Sequence, residues 1–92
     1  MAYDLDFTDE ANEDINFHKK VGDKTVLKKI FTLLEELTEH PYTGTGKPEQ
    51  LKHYEIPTWS RRITSKHRLV YRIEEHKVVV FILSARGHYD NI

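Results

Sequence analysis

At 92 residues without a single cysteine, the chain has no disulfide framework and no thiolate metal site. Its length supports one modest core rather than two, so a single domain spanning residues 1–92 is expected. The formal net charge of −1 hides a split. Residues 1–40 carry 5 Lys/Arg against 10 Asp/Glu and residues 41–92 carry 9 against 5, which makes the second part an anion-binding half. The acidic opening around Asp4 and Asp6, and the lack of any apolar run near the ~20 residues that span a bilayer, argue against a secretory signal and a membrane segment. The expectation is a soluble, cytoplasmic protein with no membrane association.

Taken in order, Tyr3, Leu5 and Phe7 alternate with Asp4 and Asp6, the period-two pattern of a strand with one buried face. Thr8 is placed to cap a helix with Asp9 and Glu10 in its first turn, and Ala11, Ile15 and the stem of Lys19 follow at helical spacing. Val21-Gly22-Asp23 breaks that helix, with Asp23 as a second cap. Val26, Leu27, Ile30, Leu33, Leu34 and Leu37 then form a wide apolar stripe that His40-Pro41 terminates. Both stripes read as core, not as partner-binding faces.

Residues 41–48 have turn chemistry and predict a loop. Three strands follow, Trp59–Ile63, Arg68–Glu74 and Lys77–Ala85, with Glu75-His76 turning a tight hairpin between the last two. Val78–Leu83 is apolar on both faces and belongs inside the sheet. The fold class expected is α+β: a short N-terminal strand, two helices, then an antiparallel sheet with the helices packed on one face. Alternation within 68–74 sends Leu69, Tyr71 and Ile73 toward the helices and Arg68, Val70 and Arg72 to an open face.

The stretch from Gly44 to Arg72 concentrates positive charge. Glu49 stands in it among Lys47, Lys52, Arg61, Arg62, Lys66, Arg68 and Arg72. Such a surface attracts a polyanion. The tail adds Arg86, His88 and Tyr89. Should it run beside Arg68, then Glu49, Arg68, Arg86 and His88 would gather a base, two cations and an acid in one cleft. Those are the parts needed to cleave RNA, whose 2′-hydroxyl is its own nucleophile. His67 points away from Arg68's face and reads as structural, Trp59 reads as packing, and His53 is open between lining the cleft and ending a strand. His18, His40 and His76 have no metal-ligand spacing, and neither a metal nor a cofactor is expected.

Gly44-x-Gly46-Lys47-Pro48-Glu49-x-Leu51-Lys52-His53, Trp59-Ser60-Arg61-Arg62-Ile63-Thr64-x-x-His67-Arg68-Leu69-Val70-Tyr71 and the late His88-Tyr89 closely resemble the YoeB/Txe toxins of the RelE/ParE toxin–antitoxin superfamily. The resemblance runs over essentially the whole chain. It implies a microbial-ribonuclease-like fold and a metal-independent endoribonuclease that cuts mRNA in the ribosomal A site, leaving a 2′,3′-cyclic phosphate. Carried over by motif, it makes Glu49 the general base, Arg68 the phosphate-stabilising cation, and His88 and Tyr89 the terminal catalytic pair. Lys47, Lys52, Arg61, Arg62 and Arg86 would hold RNA or the ribosome. It also implies an acidic, partly disordered antitoxin of the YefM/Axe kind, and homodimerisation. Two positions depart from the pattern. Gly87 stands where a bulky aromatic is common, and Asp90-Asn91-Ile92 follow the pair. Two other functions fit the charge pattern: gyrase inhibition of the ParE kind, whose resemblance lacks the His-Tyr ending, and non-catalytic RNA or protein binding.

Overall fold

The computed structural model describes residues 2–87. Strand β1 (Asp4–Phe7) leads through Thr8 into helix α1 (Asp9–Val21). The Thr8 hydroxyl accepts the Ala11 amide at 3.0 Å and so satisfies one of the free donors of the first turn. Asp23 repeats the device for helix α2 (Lys24–Glu39), taking the amides of Thr25 and Val26. Ile30, Leu33 and Leu37 of α2 are fully buried and Leu34 is nearly so, each contributing roughly 2 kcal/mol of apolar burial. The predicted helices therefore form where the caps and the stripe place them.

The burial of α1 differs from expectation at one place. Lys19 is exposed, and the positions that accompany Ala11 and Ile15 inward are Asp14 and His18. A polar pair is tolerated there because both side chains find backbone partners, described below.

Five strands form one sheet in the order β1-β5-β4-β3-β2, with β2 (Glu49–Gln50), β3 (Thr58–Arg62), β4 (Arg68–Glu74) and β5 (Val79–Ser84). The β2–β3, β3–β4 and β4–β5 pairs are antiparallel, whereas β1 runs parallel to β5, so the sheet is mixed rather than antiparallel throughout. The two helices between β1 and the rest supply the long return that parallel pairing requires. Strand β5 lies inside the sheet, as its apolar run predicts, and the hairpin before it turns through residues 75–78. Strand β2, which periodicity does not reveal, is an exposed two-residue edge.

Leu69 and Tyr71 of β4 and Val80 and Ile82 of β5 are fully buried against the helices, joined by Trp59 and Ile73 at the margin. The alternation predicted for 68–74 therefore holds, but the other face is less open than expected, with Val70 2% exposed and the Arg68 side chain 13%. A register shift between Val70 and Tyr71 pairs Tyr71 with Ile82 but Val70 with Ser84. The extra residue in β5 is Leu83, and the shift turns Ala85 into the core at the strand's end. Among the described residues no helix is long and apolar enough to cross a membrane.

Candidate active site

The loop that carries Lys47 and Glu49 is held from beneath by Arg61. Adjacent residues of a strand point to opposite faces, so Arg61 and Arg62 of β3 separate: Arg62 is exposed and Arg61 enters the helix-covered face with no exposed surface. Its Nε donates to the Tyr71 hydroxyl at 3.1 Å, Nη1 to Glu36 at 3.1 Å, and Nη2 to the carbonyls of Thr43, at 2.8 Å, and His40. The Tyr71 hydroxyl passes its own proton on to the Pro41 carbonyl. Arg61 is thus a structural clasp for residues 40–45, which corrects its assignment to RNA or ribosome contact. A guanidinium saturated by buried carbonyls has no face left for a phosphate.

Glu36 completes the clasp by accepting the Thr45 amide at 2.8 Å and the Thr45 hydroxyl at 2.6 Å. Burial alone would push its carboxyl up, but the Thr45 donors and the Arg61 charge together hold it below the ordinary value. Burial raises the Tyr71 phenol, and Arg61 opposes that shift. Gly46 closes the loop onto the sheet. Its carbonyl accepts the Arg62 amide, and a Cβ on it would lie 2.9 Å from the Arg62 carbonyl oxygen, so this close approach requires glycine.

With the loop fixed, Glu49 pairs across β2–β3 with Ser60, and Ser60 pairs in turn with Val70 of β4. These residues share with Arg68 the face opposite the helices, where Ser60 and Val70 are buried and Glu49 is exposed. Glu49 Oε1 lies 3.9 Å from Arg68 Nη1, and the two side chains are 65% and 13% exposed. The same Nη1 has a long contact of 3.4 Å to the Ser60 hydroxyl. Among the described residues the buried Nε atoms of Arg68 and Arg72 find no hydrogen-bond partner. The face therefore presents an exposed carboxylate beside an under-satisfied guanidinium, with a second arginine on the same strand face.

The chain leaves β5 toward this face through a clamp built by α1. Asp14 accepts the Ala85 amide at 2.9 Å and His18 Nε2 lies 2.8 Å from the Ala85 carbonyl, so one helical turn grips both polar groups of a single residue. A carbonyl needs a donor, which sets the His18 tautomer with its proton on Nε2. The His18 ring packs edge-on to His67 at 4.8 Å, and His67 Nδ1 accepts the Gly87 amide at 3.1 Å. The Gly87 carbonyl then accepts the Arg68 amide at 3.1 Å.

The sequence-predicted residues divide accordingly. Glu49 and Arg68 come together, and Lys47, Lys52 and Arg62 lie exposed on the segments around them. Arg86 does not join the pair, because its guanidinium stacks on Phe17 of α1, 3.7 Å from the ring centroid. Trp59 packs edge-on against Tyr42 and His67 is structural, as expected. His53 lies exposed in the turn after β2 with φ of 70°, away from either end of a described strand. His88 and Tyr89 lie outside the described residues. Sequence reasoning missed Asp14 and His18, although their i, i+4 spacing on the buried side of α1 was the available signal.

Two helices packed on a five-stranded mixed sheet make the α+β fold of the RelE-like toxins. The archaeal RelE–RelB complex from Pyrococcus horikoshii superimposes with a TM-score of 0.75 at 13% identity over 95% of this chain and 96% of that one, a likeness of fold alone. The model for the YoeB-like toxin of bacterial type II toxin–antitoxin systems matches residues 7–89, and the chain belongs to that family. Toxin YoeB of Escherichia coli (strain K12) is 39% identical over 85 residues, covering 92% of this chain and 98% of that one. Two solved structures from Staphylococcus aureus each cover 97% of this chain and 100% of theirs. They are a YoeB dimer, with a TM-score of 0.83 at 34% identity, and a YoeB–YefM complex, with 0.79 at 33%.

Proposed function

We propose that this toxin is a ribosome-dependent endoribonuclease that cuts mRNA in the A site. The observation that carries the reading is the Glu49–Arg68 pair on an otherwise basic open face, with Oε1 and Nη1 3.9 Å apart. In that arrangement the Glu49 carboxylate takes the proton of a ribose 2′-hydroxyl as the oxygen attacks the adjacent phosphorus. Arg68 stabilises the charge that builds on the phosphoryl oxygens. His88 donates a proton to the 5′-oxygen as its bond to phosphorus breaks, leaving a 2′,3′-cyclic phosphate, and Tyr89 orients the phosphate or stacks on a base. The Gly87 carbonyl bonded to the Arg68 amide supports that assignment, since it brings the chain to Arg68 one residue before His88.

Lys47, Lys52 and Arg62 hold RNA backbone, and the toxin acts in the cytoplasm, where ribosomes are. An acidic, partly disordered antitoxin of the YefM kind covers the basic face, in keeping with the Staphylococcus aureus complex, and a second copy pairs with the free toxin, in keeping with the dimer.

The test is cleavage of an mRNA positioned on purified ribosomes, comparing wild type with Glu49→Ala, Arg68→Ala and His88→Ala and reading the end chemistry. The expected result is an A-site cut with a cyclic phosphate, slowed about 10²–10³-fold or more by each substitution. A folded, toxic wild type that cuts nothing overturns the proposal and turns the question to gyrase inhibition.

A further inference from the structure

Beyond the Glu49–Arg68 pair, the far end of β3 opens into a second basic concavity of ≈370 Å³. It is lined by Lys29 of α2, Gly46 and Lys47 of the loop, Arg62, and the turn over residues 63–65. No carboxylate and no aromatic ring lines it. Among the described residues, Lys29, Lys47 and Arg62 form no ion pair. For Lys29 the sequence itself explains this. The positions three and four residues away are Thr25, Val26, Thr32 and Leu33, so the helix offers it no acidic neighbour.

Three cations around one concavity repel one another, and the loop holds them there at a further cost, because Lys47 adopts a left-handed φ of 53° that a non-glycine residue resists. Both costs make sense where an anion is to be received. Thr64 contributes as well. Its hydroxyl oxygen already accepts the amides of Lys66 and His67, which leaves its own proton free to be given. Arg62 is directly opposite Arg68 in the β3–β4 register, and Lys47 precedes Glu49 by two residues, so the concavity adjoins the proposed catalytic face.

We propose that this concavity is a second phosphate subsite, which grips a non-scissile phosphodiester of RNA with Lys29, Lys47 and Arg62. The inference rests on the ribonuclease reading and adds Lys29, which lies in the acidic half of the sequence. With no ring to stack on a base, the subsite grips backbone and reads no sequence. Its phosphate comes either from the strand being cut or from ribosomal RNA, and the same cations serve both.

Two binding measurements separate those sources. One follows a fluorescent single-stranded RNA, blocked by a 2′-O-methyl group at each position, binding to the toxin alone over a range of salt. The other follows binding of the toxin to ribosomes that carry no mRNA. Lys29→Gln is expected to weaken binding several-fold and to lower the salt slope by about 0.7 in whichever arm supplies the phosphate. Lys28→Gln, which removes the same charge from the exposed neighbouring position, is expected to do much less. The proposal is overturned if Lys29→Gln and Lys29→Glu match wild type in both arms, or if Lys28→Gln matches Lys29→Gln. Neither measurement involves bond cleavage. Failure of the catalytic reading would show instead as Lys29-dependent binding without a cut on ribosomes.

Discussion

Arg61 and Arg68 are two strands' worth of the same residue on opposite faces of one sheet, and they have opposite fates. Arg61 is fully buried, and each of its three nitrogens has a partner in Tyr71, Glu36 or the loop carbonyls. Arg68, 13% exposed, lies on the face opposite the helices with a long contact to Ser60, a 3.9 Å approach to an exposed Glu49, and a buried Nε without a partner among the described residues. A buried cation is tolerable only when its donors are satisfied, and satisfaction makes it structural. An arginine whose donors are incompletely used retains capacity for a phosphate. The helix-covered face thus holds the loop still, and the opposite face brings the loop's carboxylate beside Arg68.

The strongest way to break this contrast is to truncate each arginine in turn. Arg61→Ala leaves Glu36 with the Thr45 donors alone, empties a fully buried site and leaves the His40 and Thr43 carbonyls without their donor, and is expected to cost about 3–5 kcal/mol in urea unfolding. Arg68→Ala is expected to cost less, about 1–2 kcal/mol, because it loses the packing of a largely buried stem but only a long contact to an exposed carboxylate. Equal losses from the two would erase the distinction.

A smaller effect tests the clamp that leads from the covered face to the open one. Asp14→Ala leaves the buried Ala85 amide without its acceptor and is expected to cost about 1–3 kcal/mol, whereas Asp14→Asn keeps an acceptor oxygen and should retain most of the stability. If Asn is as damaging as Ala, the hydrogen bond is not what Asp14 contributes.

The smallest effect sharpens the contrast through pH. The Glu36 carboxyl is held below its ordinary value in the folded chain, so its stabilisation is complete above the ordinary glutamate range near ~4.3 and is lost as pH falls through the lowered folded value. The stability difference between wild type and Glu36→Gln should therefore be largest at neutral pH and shrink in acid. A difference that stays constant over that range would show that the Thr45 donors and the Arg61 charge do not favour the ionised Glu36 carboxyl.

Much of this architecture was legible in the residues. Thr8 and Asp23 announced both helix starts, the stripe from Val26 to Leu37 announced the buried face of α2, and alternation placed Leu69 and Tyr71 opposite Arg68. The proximity of Glu49 to Arg68 was expected from the charge and alternation of residues 44–72 and was made specific by the motif that spans residues 44–71. Strand β2 was not legible, since two residues show no period, and neither was the parallel pairing of β1 with β5, which depends on how far apart the helices let the strands return.

The amino-acid sequence by itself determined which residues lie on a common face, because the periods of helix and strand are local properties of the backbone. Only the tertiary structure decided which face is covered, and that choice made Arg61 a clasp, left Arg68 open, and turned Asp14 and His18 from an apparently ordinary helix surface into the grip on Ala85. Burial of a polar side chain depends on partners far away in sequence, here 25 residues from Arg61 to Glu36 and 71 from Asp14 to Ala85, and no local pattern encodes them.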